Sequence, residues 1–260
     1  MLGVGLSIAS SYVASTPYPR ETNTRSILFD GTNDRGQQAD GNNLFTEMDT
    51  GSWSMQFYVR FNGSNANNQF IFWKGNNFTN YLRITTDAAG DLQILGADGG
   101  SASDITINNI WETNFTNNTW YHVVITSDGS GTNRANKCYI DGSEVGQKSG
   151  AIYGSSVAIE APTGNAKLLF ATFLNMLFYN IQLDTIATWS GVLSAAEVAE
   201  ISGNNPDLKE DAGDYTSKSS LERYHVMEEG SGTTIADTSG NSKLAITLVN
   251  SPVFSTEKPY

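Results

Sequence analysis

The sequence predicts an all-β protein: a two-sheet antiparallel β-sandwich of the jelly-roll type with one short capping helix. Short runs rich in β-branched and aromatic residues recur along the chain, each bounded by Gly, Asn or Asp. Helices alternating with strands are absent, which excludes a doubly wound α/β enzyme. The composition is 39% hydrophobic and only 16% charged, with 25 glycines in 260 residues, and reads as globular and turn-rich. A chain of this length buries roughly three quarters of its unfolded surface, enough for one large core or two small ones.

Residues 1–25 read as an arm outside the body, and their opening, MLGVGLSIASSYVAS, lacks the positive start of a secretion signal. The body is expected over 26–202. RSILFDG leads to the turn TNDRG, and GSWSMQFYVRF then meets NGSNANN. QFIFWKG, NYLRITT and DLQILGA follow, and after them NTWYHVVITS, NKCYIDG and SEVGQKS. In TWYHVVIT, alternation puts Trp120, His122, Val124 and Thr126 on one face and Tyr121, Val123 and Ile125 on the other. Both faces are largely apolar, so this is a central strand and His122 a core histidine with a satisfied ring proton. The run LLFATFLNMLFYNI (168–181) is too short to span a bilayer and carries Asn175 and Asn180; it reads as buried sheet.

One helix is signalled, in VLSAAEVAEISGNNP. Ser194 is a good N-cap and Glu197, three residues on, completes a capping box. Leu193 can staple onto Val198, and Gly203 with Pro206 supplies the stop. Residues 203–220 are polar and acidic and read as a surface crossing. Residues 221–256 return to strand-and-turn texture and are expected to complete the same sandwich, because so short a stretch cannot form a second core.

The net charge is −12 and no Lys/Arg cluster offsets it, which argues against nucleic acid and against anionic membranes as partners. No membrane insertion is expected, and an acidic polysaccharide would need a bridging cation. Cys138 is the sole cysteine, so no intrachain disulfide or cysteine-based zinc site can form. Sequons begin at Asn62, Asn77, Asn114 and Asn117, as an Asn-rich chain generates by chance.

Tyr-His-Val occurs twice, at Tyr121 and Tyr224, each followed by Gly-Ser-Gly-Thr, and holds the only two histidines. Glu228 and Glu229 after the second copy are adjacent in an extended segment, so they point apart. They cannot form the facing pair about 5 to 9 Å apart that sugar hydrolysis uses. Both copies read as a strand leaving the core through a flexible glycine turn, and no catalytic residue is predicted. Calcium is the one cofactor with candidate ligands: Asp30, Asn33 and Asp34 on the first turn, Asp237 and Asn241 on the last. Asx-turn chemistry explains the same residues. Trp73, Tyr81 and Trp111 are candidates to stack on a pyranose, with core packing as the competing role.

NTWYHVVIT followed by CYIDGSEV, including Trp120, His122, Asp141 and Gly142, resembles paired strands of laminin-G-like, concanavalin A-like jelly rolls. SILFDGTND is similar to the opening Phe-Asp-Gly strand of that family, at Phe29, Asp30 and Gly31. IQLDTIATWSGVLSAAEVAEI is similar to its closing strand and helix, with matches at Asp184, Trp189, Leu193, Ser194 and Glu197. YHVMEEGSGTTIADTSGN resembles a family signature that often precedes the Phe-Asp-Gly strand but here follows the helix. The chain departs from the pattern at Ile181 and Thr185, where Gly and Glu are expected, and in the shortened loop FLNM. The resemblance implies two antiparallel sheets of roughly six or seven strands and ligands such as sugars, proteins or calcium. Hydrolases of the family carry Glu-x-Asp-x-x-Glu or Glu-x-Asp-x-Glu. Here Glu47-Met48-Asp49 is followed by Gly51 and Ser52, without the second Glu, so no enzyme is expected.

The low charge, lone cysteine and arm also resemble laminin-G-like proteins of bacteriophage particles, marine ones in particular. That implies a non-enzymatic structural or adhesion protein at a virion surface: a capsid decoration, head fibre or tail fibre. Its partners would be other virion proteins and itself, as a homo-oligomer using the arm and the FLNMLF edge, with loops facing host-surface glycans. The alternative is a carbohydrate-binding or cell-adhesion module of an extracellular bacterial protein. A glycoside hydrolase ranks last.

Overall fold

The computed structural model describes residues 22–38, 48, 51–63, 68–75, 80–98, 105–129, 135–149, 167–173 and 177–259. The first strands are β1 (Ser26–Leu28), β2 (Arg35–Gln38), β3 (Trp53–Phe61), β4 (Phe70–Gly75), β5 (Asn80–Thr86) and β6 (Leu92–Asp98). They are followed by β7 (Ile105–Trp111), β8 (Trp120–Asp128), β9 (Ala135–Ile140), β10 (Ser143–Val145) and β11 (Gln147–Ser149). Then come β12 (Lys167–Phe170), β13 (Thr172–Phe173), β14 (Leu177–Phe178) and β15 (Ile181–Trp189), leading to helix α1 (Ala195–Asn204). The chain ends with β16 (Leu221–His225), β17 (Thr234–Ile235), β18 (Ile246–Val249) and β19 (Val253–Ser255).

Two antiparallel sheets form the sandwich. The eight-stranded sheet runs β10-β9-β8-β3-β15-β1-β19, with β16 also paired to β15, and the nine-stranded sheet runs β11-β7-β6-β5-β4-β12-β2-β18-β17. Period-two alternation decides what enters the space between them. Trp53, Met55, Phe57, Val59 and Phe61 of β3 join Val123 and Ile125 of β8 in the main core, opposite Phe72, Leu82, Ile84, Ile94 and Trp111 of the other sheet. The central β8 lies between β3 and β9, as its two apolar faces require.

The outer face of the eight-stranded sheet carries a second apolar cluster. There α1 lays Val198 and Ile201 on Trp189, Tyr139, Val124 and Tyr224. Ser194 and Glu197 form the expected reciprocal cap, and Leu193 packs in the same cluster as Val198. The stop lies later than the glycine signal suggests: Gly203 remains helical and Asn205, at φ 45°, is the left-handed C-cap. Asn tolerates that conformation through local hydrogen bonding, so the glycine is not needed there.

The acidic crossing is more than surface. Leu208, Ala212 and Tyr215 are buried in it. Trp189 Nε1 donates to the Tyr215 hydroxyl at 3.0 Å, which in turn donates to the Leu208 carbonyl at 2.9 Å. After it the chain re-enters both sheets: β16 pairs with β15, β18 with β2, and β19 with β1. Residues 1–21 of the expected arm lie outside the described residues. The following 22–25 are packed on the body, with Asn23 buried and donating to Asp184.

Candidate functional site

A recess forms at the rim where three connections meet. In the turn from β1 to β2, Asp30 Oδ1 accepts from Thr32 N at 2.7 Å and Asn33 N at 3.3 Å. These backbone donors, Thr32 first, hold the Asp30 carboxyl below its ordinary range, so it is a carboxylate at neutral pH. Gly31 has φ +75°, and a Cβ there would stand 3.0 Å from Asn180 N. Only glycine gives both that conformation and that approach. Asn62 N, past the end of β3, donates to Asn180 O at 2.9 Å and fastens the third segment.

The recess has a volume of about 330 Å³ and is walled by Asp30, Gly31, Gly63, Gln69, Phe178, Tyr179 and Asn180. Phe178 and Tyr179 are half-buried aromatics; the other side chains are a carboxylate and two amides. Tyr179 stacks on Phe70 with ring centroids 5.6 Å apart and planes 25° apart. The Arg83 guanidinium lies over the Phe70 ring of this pair, 5.2 Å from its centroid, and 5.6 Å from that of Tyr81. Asn62 Oδ1 and Asn180 Oδ1 have no hydrogen-bond partner. The rim thus combines an aromatic surface with convergent polar groups.

A second depression, of about 490 Å³, lies on the outer face of the eight-stranded sheet. Tyr58 and His122 floor it; the Asp141–Ser143 turn, the end of α1 and Pro259 wall it. His122 Nε2 is 3.1 Å from Gln56 Oε1, while Nδ1 has no partner. Burial pushes the His122 pKa down to about 3, so the ring is neutral. No hydroxyl or carboxylate side chain bonds that ring, so the nucleophile–base pair of acyl transfer is not assembled here. The histidine is scaffold, though it lies on the outer sheet face and satisfies one ring nitrogen rather than two.

The three carboxylates among the metal candidates, Asp30, Asp34 and Asp237, accept hydrogen bonds from nearby protein donors. Asp34 Oδ2 accepts from Asp30 N at 3.3 Å, and Asp237 accepts from Tyr224 N, Ser239 and Lys243 N. Asn241 donates to the carbonyls of Leu221 and Glu222. Among the described residues, no three His, Cys, Asp or Glu side chains cluster as metal ligands. The first-turn and last-turn groups brace different loops.

The stacking candidates need correction. Trp111 is 1% exposed in the main core, and Trp73 (1%) and Tyr81 (8%) are buried in a third cluster with Leu95, Ala97 and Leu169. None offers a ring face that a sugar can reach. The structural matches fall into place: Asp141 Oδ1 accepts from His122 N at 2.9 Å, and Gly142 at φ +82° lets the turn sit against Ser202 of α1. Trp120 is half-buried at the start of β8. Glu197 also accepts from Thr216 and Ser217, tying the crossing to the helix.

Glu228 and Glu229 bond different segments, and the preceding Met227 has φ +60°. Glu228 accepts from Thr24 N and Arg25 N, and Glu229 from Ala236 N. Glu47 and Asp49 lie outside the described residues, as do residues 174–176 of the FLNM loop. Sequence reasoning missed Tyr179, Asn180, Gln69 and Arg83. Its one available signal was Arg83 itself, a lone charge in the strand NYLRITT.

Comparison with known proteins agrees with this architecture. A family model described as the concanavalin A-like lectin/glucanases superfamily matches residues 30–199. No curated protein sequence matches the chain. Among solved structures, a candidate carbohydrate-binding protein from Bacteroides ovatus is similar at a TM-score of 0.52 and 16% identity, covering 88% of this chain and 62% of that one. The chain therefore spans less than two thirds of that protein. A native heptameric SAP-like pentraxin from Limulus polyphemus gives a TM-score of 0.49 at 13% identity, covering 87% and 94%. The CBM40 of Ruminococcus gnavus IT-sialidase, bound to α2,3-sialyllactose, gives 0.45 at 10% identity, covering 71% and 97%.

Proposed function

The chain belongs to the concanavalin A-like lectin/glucanases superfamily, and from that premise we propose that it is a non-catalytic carbohydrate-binding module whose glycan sits in the rim recess. The observation that carries this reading is the half-buried Tyr179 ring, braced by Phe70, facing a recess that Asp30, Gln69 and Asn180 line with polar groups. A pyranose presents one C–H face and a belt of hydroxyls, and needs an aromatic surface beside donors and acceptors. The recess volume suits one or two sugar rings. The non-catalytic part of the proposal rests on Glu228 and Glu229, which bond backbone amides in separate segments and leave no facing carboxylate pair between them.

The particle-component expectation leans on the arm 1–25 and on the FLNMLF edge at 173–178, of which residues 1–21 and 174–176 lie outside the described residues. No specific observation favours it over glycan binding. A glycan array with the purified chain, run with and without calcium, tests the proposal. Binding is expected, and Tyr179→Ala should abolish it in a protein that still melts cooperatively, at a lower temperature because the ring also packs on Phe70 and the main core. A clean array under both conditions rejects the proposal.

A further inference from the structure

Arg83 differs from six other cations of this acidic chain. Lys137, Lys148, Lys209, Lys218, Lys243 and Arg60 all pair with carboxylates. Among the described residues the Arg83 side chain has no ion pair and no hydrogen bond; its buried Nε lacks a partner, and its guanidinium lies over the Phe70 and Tyr81 rings. In a protein of net charge −12, a partly buried guanidinium without any carboxylate is costly unless something else meets its donors. The aromatic bed offsets part of that cost, but it leaves a fork of N–H groups unused. Burial lowers the Arg83 pKa from its high ordinary value, yet a guanidinium remains charged at neutral pH.

Position gives the orphan its meaning. Arg83 lies on Phe70, and Phe70 stacks on Tyr179 of the rim recess. We propose that Arg83 binds an acid group, a carboxylate or a sulfate, carried by a glycan whose neighbouring ring rests on Tyr179. A planar, forked donor set matches those two anions and gives direction as well as charge. The direct cation removes the need for a bridging metal that net charge alone suggests for acidic polysaccharides. The inference rests on the rim reading above and narrows it to acidic glycans.

Titration calorimetry with matched oligosaccharides tests it. Trigalacturonate against neutral galactotriose probes the carboxylate, and sulfated lactose against lactose probes the sulfate. At least one acidic member should bind about tenfold tighter than its neutral partner, with an advantage that shrinks as salt rises. Arg83→Gln should erase the advantage and leave neutral binding in place. Arg83→Lys, which keeps the charge and the aromatic bed, should retain part of it. Equal or weaker binding of both acidic sugars, or equal loss of both kinds in Arg83→Gln, overturns the proposal while neutral binding upholds the rim site. If no sugar binds, both readings fall together.

Discussion

The His122 ring lies on the Tyr58 ring, with centroids 4.5 Å apart and planes 26° apart, and the two residues face each other in register between β8 and β3. Asp184 of β15 stands on the other side of Tyr58 in the same row. This row is polar, buried beneath the outer-face depression, and titratable in opposite senses at its two ends.

Acid should weaken the fold through its histidines. Burial lowers His122 to about 3 and, against the nearby Asp237 charge, His225 to about 4, from 6.5. The unfolded chain then binds more protons below the unfolded value, so stability falls as pH drops from about 6.5 toward 3. Each such histidine contributes about 1.4 kcal/mol per pH unit inside its window. Thermal melts across this range should show the slope, and His122→Phe should flatten part of it.

Asp184 should act the other way. Burial first, and the Glu228 charge in addition, raise its pKa from 3.8 to about 8, against lowering bonds from Asn23 and Thr185. The folded chain keeps a proton that the unfolded chain has lost, so stability declines as pH rises from about 3.8 to 8. Asp184→Asn should melt higher than the parent at about pH 8, and the gap should narrow toward pH 4. An unchanged gap across that range would sink this assignment.

Glu197 closes the α1 cap and also holds Thr216 and Ser217 of the crossing. Ser194→Ala should cost about 1 kcal/mol by denaturant unfolding. Glu197→Ala should cost more, about 2 to 3 kcal/mol, because it also strands donors over the Trp189–Tyr215 cluster.

A chain ending at Ser220 should not fold. It loses β16 and β19 from the eight-stranded sheet and β17 and β18 from the nine-stranded one, and with them the buried side chains of Tyr224, Met227, Ile246 and Leu248. Ending the chain at Asn250 removes β19, the packing of Phe254 on the core, and the bonds of Glu257 and Lys258 to Arg60, Ser26 and Asn23, and should leave a cooperative but lower melt by circular dichroism.

By itself the sequence determined the local features. Period-two runs around Trp53–Phe61 and Trp120–Asp128 set the strands, and Ser194 with Glu197 set the helix start, because each depends on neighbours a few residues away. The Tyr-His-Val copies were legible as scaffold for the same reason. Tertiary structure alone decided which faces water reaches. Alternation says that Trp73 and Trp111 share a face with their period-two neighbours, not whether that face is covered, and both prove buried. Tyr179, inside a run that reads as buried sheet, surfaces instead because Gly31 and Asn62 dock on Asn180 from distant strands. Arg83 likewise gained its aromatic bed and lacks a counterion only once β4 and β5 and the β14–β15 connection came together. Solvent exposure and unmet hydrogen bonds are properties of non-local packing, which no short stretch of sequence encodes.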